Sequence, residues 1–525
     1  MSKVQLYDTT LRDGTQMEGI SLSVEDKLKI ARKLDELGVH YIEGGWPGSN
    51  PKDAEFFVRA RGLALKNARL TAFGATRRAG SRAESDPNLR SLVDAGTPVV
   101  TIVGKAHDRQ VTEVLETTPE ENLAMIRDSV LYLKSRVETV FLDAEHFFDG
   151  FVSDPAYALQ CLKTAAEAGA DGVVLCDTNG GTLTSSIHEI VARVVEELPC
   201  PVGIHAHNGA DLAVANTLAA VEAGATQVQA AINGYGDMCG NANMISIIAN
   251  LKLKMGIDAV SDEQLSHLTE VSRYVSEVAN LPPSPRQPYV GAAAFAHKAG
   301  LHMSAVAKQS WSYQHVDPAL VGNDTRILVS ELGGSGGLVA FLRERGIDID
   351  REEARGLLEQ VKLMESRGYQ YESAEASFDL LVRRSQPDYK PLFELEDFMV
   401  VERRQHAPDE RQMISEAMVK IRVGEEVMHT AAEGNGPVNA LDAAVRKALL
   451  QFYPSLEVIK LVDYKVRIID SATGTGASVR VLIESTDGEH TWTTVGASTD
   501  IIEASWLALA DSLEYWLLTR SPRLT

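Results

Sequence analysis

Short apolar runs rich in β-branched residues recur along the first half of the chain, at residues 4–7, 39–43, 70–74, 99–103, 139–143, 172–176, 202–205 and 227–232. Most are continuously apolar rather than alternating, the pattern of strands buried on both faces of a parallel sheet. The stretches between them switch to a helical period. In the first, Leu28, Ala31, Leu34 and Leu37 share one face, Ser23 is a plausible N-cap and Gly38 a stop. Eight strand–helix alternations in about 250 residues predict a (β/α)8 TIM barrel. A doubly wound open sheet is the alternative, but no GxGxxG follows the first strand.

The run Leu281-Pro282-Pro283-Ser284-Pro285 can continue neither helix nor sheet, and Ser385-Gln386-Pro387 begins a second break. The expected organisation is therefore a catalytic barrel over residues 1–280, a helical linker over 281–384, and an α+β C-terminal domain over 385–525. Strand patterns at 417–423, 466–470, 478–484 and 491–495, with helices beginning near Pro437 and Ile501, predict a twofold pseudo-repeat in that last domain.

A length of 525 residues agrees with about three domains. The 51 basic and 73 acidic residues leave a formal charge of −22, which argues against nucleic acid or an anionic membrane as a partner. No stretch has the length and apolarity of a membrane span, and the N-terminal segment reads neither as a signal nor as a transit peptide. Cys161, Cys176, Cys200 and Cys239 show no CxxC spacing, so reduced thiols and a cytoplasmic setting are expected.

Barrel chemistry sits at the C-terminal ends of strands. Those positions hold Arg12-Asp13, Glu43, Asp143-Ala144-Glu145, Asp177-Thr178, His205-Ala206-His207 and a glycine-rich run from Gly234 to Asn241. In His205-Ala206-His207 both imidazoles project to one side of an extended strand. Two imidazoles and a carboxylate such as Asp13 suit a divalent metal with open positions, although HxH also occurs as a plain hydrogen-bonded pair. Arg12 is suited to an oxyanion, and the glycine run to an anion held by backbone N–H groups. Thr178 also reads as a helix cap, and Glu145 and Asp177 as ion-pair partners within the barrel. Arg77, Arg78 and Lys105, just past strands three and four, are candidates to add positive charge at the mouth.

Taken in order, DTTLRDG (8–14), HAHN (205–208), GYGDMCGNAN (234–243) and FAHKAGLH (295–302) resemble the α-isopropylmalate, homocitrate and citramalate synthase family. Its barrel is shared with the hydroxymethylglutaryl-CoA lyases. GNGPVNAL (434–441) and STDIIEASW (498–506) are similar to the family's C-terminal regulatory domain, so the likeness spans nearly the whole chain. EGGWPGSNPKD (43–53), DAEHFFDG (143–150) and GYQYESAEASF (368–378) look most like the citramalate synthase branch.

The resemblance implies an acyltransferase that condenses acetyl-CoA with pyruvate and hydrolyses the thioester. It implies Mg2+, Mn2+ or Zn2+ on Asp13, His205, His207 and Asn241, and substrate contacts from Arg12, Thr178, Gly234 and Gly236. Glu145 would lie beside the substrate. His302 and Tyr313 would reach a neighbouring subunit's site in a domain-exchanged homodimer, with isoleucine as effector of the C-terminal domain. Ser304 departs from an aspartate common in relatives, and the run Gly333-Gly334-Ser335-Gly336-Gly337 lacks a common arginine. The alternatives are an isopropylmalate or homocitrate synthase, a lyase on the same barrel, and a catalytically inactive amino-acid sensor.

Overall fold

The computed structural model describes residues 4–298, 302, 305–306, 308–327, 335–344, 347–406, 411–469 and 471–519. Eight parallel strands close into a barrel: β1 (Gln5–Asp8), β2 (Tyr41–Gly45), β3 (Arg69–Ala75), β4 (Val99–Lys105), β5 (Thr139–Glu145), β6 (Gly172–Asp177), β7 (Val202–Ala206) and β8 (Gln227–Ala230). β8 returns to β1 with Asp8 opposite Ala230. Each run read from the sequence is a strand, and the TIM barrel is the observed fold. Several strands extend past their expected ends, so that Asp8, Lys105, Glu145 and Asp177 lie within them.

Helices cover the barrel in the expected alternation. The helix Val24–Leu37 begins with a capping box from Ser23 and Asp26 and ends at Gly38 in the left-handed region. Its buried Leu28, Ala31, Leu34 and Leu37 join the core between helices and strands. Inward-facing residues alternate with these. Tyr7, Tyr41, Val99 and Phe141 fill the barrel as a separate apolar cluster. Two residues further along their strands the same inward parity gives Glu43, Thr101 and Asp143. A buried polar layer therefore lies above an apolar one, at the C-terminal mouth.

The chain forms two compact units, Met1–Phe295 with His315–Thr325, and Ala296–Gln314 with Arg326–Thr525. The barrel unit runs beyond the proline break at 281, and Asn323 ties its last segment down by donating to the carbonyls of Tyr289 and Gly291. In the second unit, a two-residue parallel pair, β9 (Ala296–His297) and β10 (Arg326–Ile327), accompanies the helices Ser335–Glu344, Arg351–Ser366 and Glu375–Arg384. Ser335 to Gly337 open the first of these helices, while Gly333, Gly334 and Ser304 lie outside the described residues. Among the described residues no helix is long and apolar enough to cross a membrane.

The pseudo-repeat is present. β11 (Glu394–His406), β12 (Arg411–Val423) and β13 (Glu426–Gly434) form one antiparallel sheet, followed by helix Pro437–Leu449. β14 (Lys460–Ile468), β15 (Val479–Thr486) and β16 (Thr491–Ser498) form another, followed by helix Ile501–Thr519. Leu441, Val445, Leu509 and Leu513 share one core, so the two halves make a single domain. In each half a glycine on the third strand lets the next helix approach. A Cβ at Gly434 would lie 2.4 Å from the Ala440 nitrogen, and one at Gly496 2.1 Å from the Ala504 oxygen. Gly496→Ala is expected to cost about 1–3 kcal/mol through this clash, read as a lower midpoint of thermal unfolding. An unchanged midpoint would refute the close-approach argument.

Candidate active site

His205 points inward from β7, and His207 follows two positions later, so the two rings share the barrel mouth. Their Nε2 atoms are 3.0 Å apart. Asp13, in the loop after β1, places Oδ2 at 3.1 Å from His205 Nε2 and 3.6 Å from His207 Nε2. Asn241 is brought in by the loop after β8, whose backbone pairs with the end of β7 through Asn208 N–H to Gly240 O and Ala242 N–H to Ala206 O. Its Nδ2 donates to Asp13 Oδ2 at 3.0 Å, leaving its buried Oδ1 with no hydrogen-bond partner among the described residues.

One ligand atom from each of Asp13, His205 and His207 lies within 4.8 Å of the others. Lone pairs crowded this closely repel unless a proton or cation lies among them. Two imidazole nitrogens, a carboxylate and an unpartnered amide oxygen are a donor set that could hold a divalent metal.

Arg12 is packed among acids. Its Nε donates to Glu43 Oε1 at 2.5 Å, Nη1 lies 3.1 Å from Asp13 Oδ1, and the guanidinium stacks 3.8 Å above the Phe73 ring. Glu43 is completed by the Tyr7 hydroxyl at 2.5 Å, which also meets Thr101 Oγ1 at 2.8 Å. Burial works against the charged form of Asp13, but Arg12 and the hydrogen bonds of both histidines hold its carboxyl well below the usual range. Asp143 is pushed to about 7, by burial first and then by Glu43.

A cavity of about 350 Å3 opens onto this cluster, with Arg12, Asp13, Glu145, Thr178, His205 and His207 on its wall. Glu145 pairs with Lys105 at 2.5 Å. Thr178 Oγ1 accepts the His146 N–H at 2.8 Å, which leaves its own proton free for a ligand. Asp177 accepts from Thr182 and serves the loop. Gly234 and Gly236 sit against Asn241 rather than on the cavity wall, so their small size serves packing. Arg77 is turned to Glu121 and Asp128 and adds no charge to the wall. The sequence reading placed Asp143 at a strand end without giving it a role, and missed Trp46, Phe73 and Gln229. Inward parity was the available signal for Phe73, Asp143 and Gln229, whereas Trp46 is brought inward by the register shift between Glu43 and Gly45. In the second unit, His302 and Tyr313 stack with ring centroids 4.0 Å apart.

Asp8, on β1, is fully buried and its carboxyl is pushed to about 7 by desolvation, partly offset by hydrogen bonds from the Thr10 N–H and hydroxyl. The folded state therefore holds this proton more tightly than the unfolded chain, whose carboxyl titrates near about 4. Its stabilising contribution is complete below about pH 4 and is lost as the pH rises through about 7. Asp8→Asn is expected to make the fall in melting temperature across that window shallower. Equal slopes in variant and wild type would exclude this assignment.

Comparison with known proteins covers the chain in three consecutive segments. The HMGL-like family matches residues 3–275, the homocitrate synthase post-HMGL domain-like family 289–368, and the LeuA allosteric (dimerisation) domain 372–517. An (R)-citramalate synthase of Aquifex aeolicus is 53% identical over 519 residues, covering 98% of both chains. One of Geobacter sulfurreducens is 52% identical over 519 residues, with the same coverage. A probable 2-isopropylmalate synthase of Methanopyrus kandleri is 32% identical over 504 residues, covering 96% of each chain. With a barrel, a mouth of this composition and full-length similarity of this degree, the chain belongs to the (R)-citramalate synthase family.

Proposed function

We propose that the chain condenses acetyl-CoA with pyruvate and hydrolyses the resulting thioester, releasing (R)-citramalate and CoA. The observation that carries this reading is the convergence of Asp13, His205 and His207 beside Arg12, in a chain 53% identical to a protein named (R)-citramalate synthase. Isopropylmalate or homocitrate synthesis is the second reading, supported by lower identity over a similar span. The bulky Trp46 and Phe73 on the cavity wall favour the smaller keto acid.

Asp13, His205, His207 and the Asn241 amide oxygen would hold Mg2+, Mn2+ or Zn2+, which would supply Lewis-acid polarisation of the keto-acid carbonyl. Arg12, with donors to spare after Glu43 and Asp13, stabilises the oxygen as it becomes an alkoxide. Thr178 donates its free hydroxyl proton to the substrate carboxylate. Glu145, on the cavity wall and paired with Lys105, orients the acyl group. His302, held by Tyr313 and supplied by the partner subunit, removes the methyl proton of acetyl-CoA, a contribution of about 10²–10⁴-fold. The carbanion then attacks the keto carbon, the alkoxide takes up a proton, and water cleaves the thioester. Gly234 and Gly236 act by holding Asn241 rather than by touching substrate. The LeuA allosteric (dimerisation) domain supports a regulated homodimer, for which isoleucine is the candidate effector. The four free cysteines support a reducing, cytoplasmic setting.

Release of free CoA from acetyl-CoA is expected with pyruvate and to fall by about 10–200-fold when the keto acid gains one methylene, as in 2-oxobutyrate. Preference for 2-oxoisovalerate or 2-oxoglutarate would favour the second reading. Millimolar isoleucine should lower the initial rate, and unchanged rates would remove it as effector.

A shared site makes a further prediction. Asp13→Asn and His302→Ala should each be inactive alone. Co-refolded as hybrids, they should recover about a quarter of wild-type activity, because one barrel of each mixed dimer regains both groups. No recovery would place His302 in its own subunit's site, and activity of His302→Ala alone would place it outside catalysis.

A further inference from the structure

Gln229 lies on β8 beside His205 of β7 and is 1% exposed. Its amide faces two groups with opposite needs. Oε1 is 2.8 Å from His205 Nδ1, and Nε2 donates to Asp143 Oδ1 at 2.9 Å. Asp143 belongs to β5, so this contact spans the barrel interior. Against an ionised Asp143, turning the amide over would set Oε1 against a carboxylate oxygen, two acceptors facing each other. Ionised Asp143 can only accept, and so it selects which end of Gln229 meets the histidine.

An amide oxygen at Nδ1 requires that nitrogen to carry the proton. In the neutral ring Nε2 then no longer carries the proton it shares with Asp13 and presents a lone pair toward Asp13 and His207. The bland alternative is that Asp143 and Gln229 merely fill space. Apolar side chains would do that without the cost of burying a carboxyl and an amide. We propose that Asp143 and Gln229 form a positioning relay across the barrel that locks His205 in its Nδ1-protonated tautomer, keeping Nε2 available for a divalent cation. The relay rests on the reading of Asp13, His205 and His207 as metal ligands. It adds two positioning residues to that site.

The test is Mn2+ titration of the full-length chain by electron paramagnetic resonance, with thermal unfolding followed on the same samples. Gln229→Leu and Asp143→Ala should each weaken Mn2+ binding by about 10–100-fold. Because both act through one chain of contacts, the double variant should be no weaker than Gln229→Leu by more than about twofold. Gln229→Glu keeps an acceptor for Nδ1–H and should bind within about threefold of wild type, whereas a packing role would leave the similarly bulky Gln229→Leu binding as wild type. Wild-type affinity in Gln229→Leu, multiplied losses in the double variant, or lost binding in folded Gln229→Glu would overturn the relay. Should Gln229→Leu fail to fold, Gln229→Glu and Asp143→Ala decide in its place: retained binding in the first with loss in the second supports the relay, and any other combination overturns it. Asp13→Asn serves as the separate control. If the wild type takes up no Mn2+, or Asp13→Asn binds as well as wild type, the metal reading itself falls and takes the relay with it.

Discussion

Buried charge at the barrel mouth is the constraint on which the rest of this site depends. Asp13, Glu43 and Asp143 are removed from water together, and ionised carboxylates tolerate that only when paired or neutralised. Arg12 answers two of them, with its Nε on Glu43 and a terminal nitrogen at Asp13. One guanidinium among three acids leaves the pocket short of positive charge. The structure meets the shortfall in two ways. Asp143 is pushed toward its neutral form, while Asp13 is held ionised against the two histidines. An ionised Asp13 with two imidazole nitrogens in reach is an arrangement that a divalent cation completes.

The same local balance explains how a chain of charge −22 can serve anionic substrates. Diffuse surface charge is screened within about a Debye length, whereas contacts inside a mouth are not. Charge at the cavity wall therefore matters more than the sum over the chain. Lys105 is matched by Glu145, and Arg77 is matched by Glu121 and Asp128 on the helical side. Arg12 is matched as well, by Glu43 and Asp13, so net positive charge at this wall would have to come from a cation held by Asp13, His205 and His207.

The alternation of runs was strong enough in the sequence to yield all eight barrel strands, because strands buried on both faces must be apolar throughout. The C-terminal domain was harder. Ala417, Val419 and Ile421 of β12 are buried and advertise a strand, but β11 and β13 went unread. β11 carries Glu394, Glu396, Asp397, Glu402 and Arg403, and its exposed face hides the apolar alternation. The His205-Ala206-His207 pair and Arg12-Asp13 were visible as motifs. Gln229 was not, since a lone glutamine in a strand reads as nothing until its two neighbours are known.

What the sequence determined by itself was periodicity and local chemistry: the barrel, the two breaks, the strand-end motifs and the family likeness. These depend on residues close together along the chain, or on motifs that recur in relatives. The tertiary structure decided which groups meet. Asp13 and Asn241 are hydrogen-bonded across 228 positions, and Gln229 and Asp143 across 86. It also decided that Arg77 faces away from the cavity wall while Arg12 lies on it, and that Gly234 and Gly236 support Asn241 instead of lining the cavity. The physical reason is barrel closure. Returning β8 to β1 fixes the inward parity of every strand at once, and only in the closed ring does that parity become a set of distances.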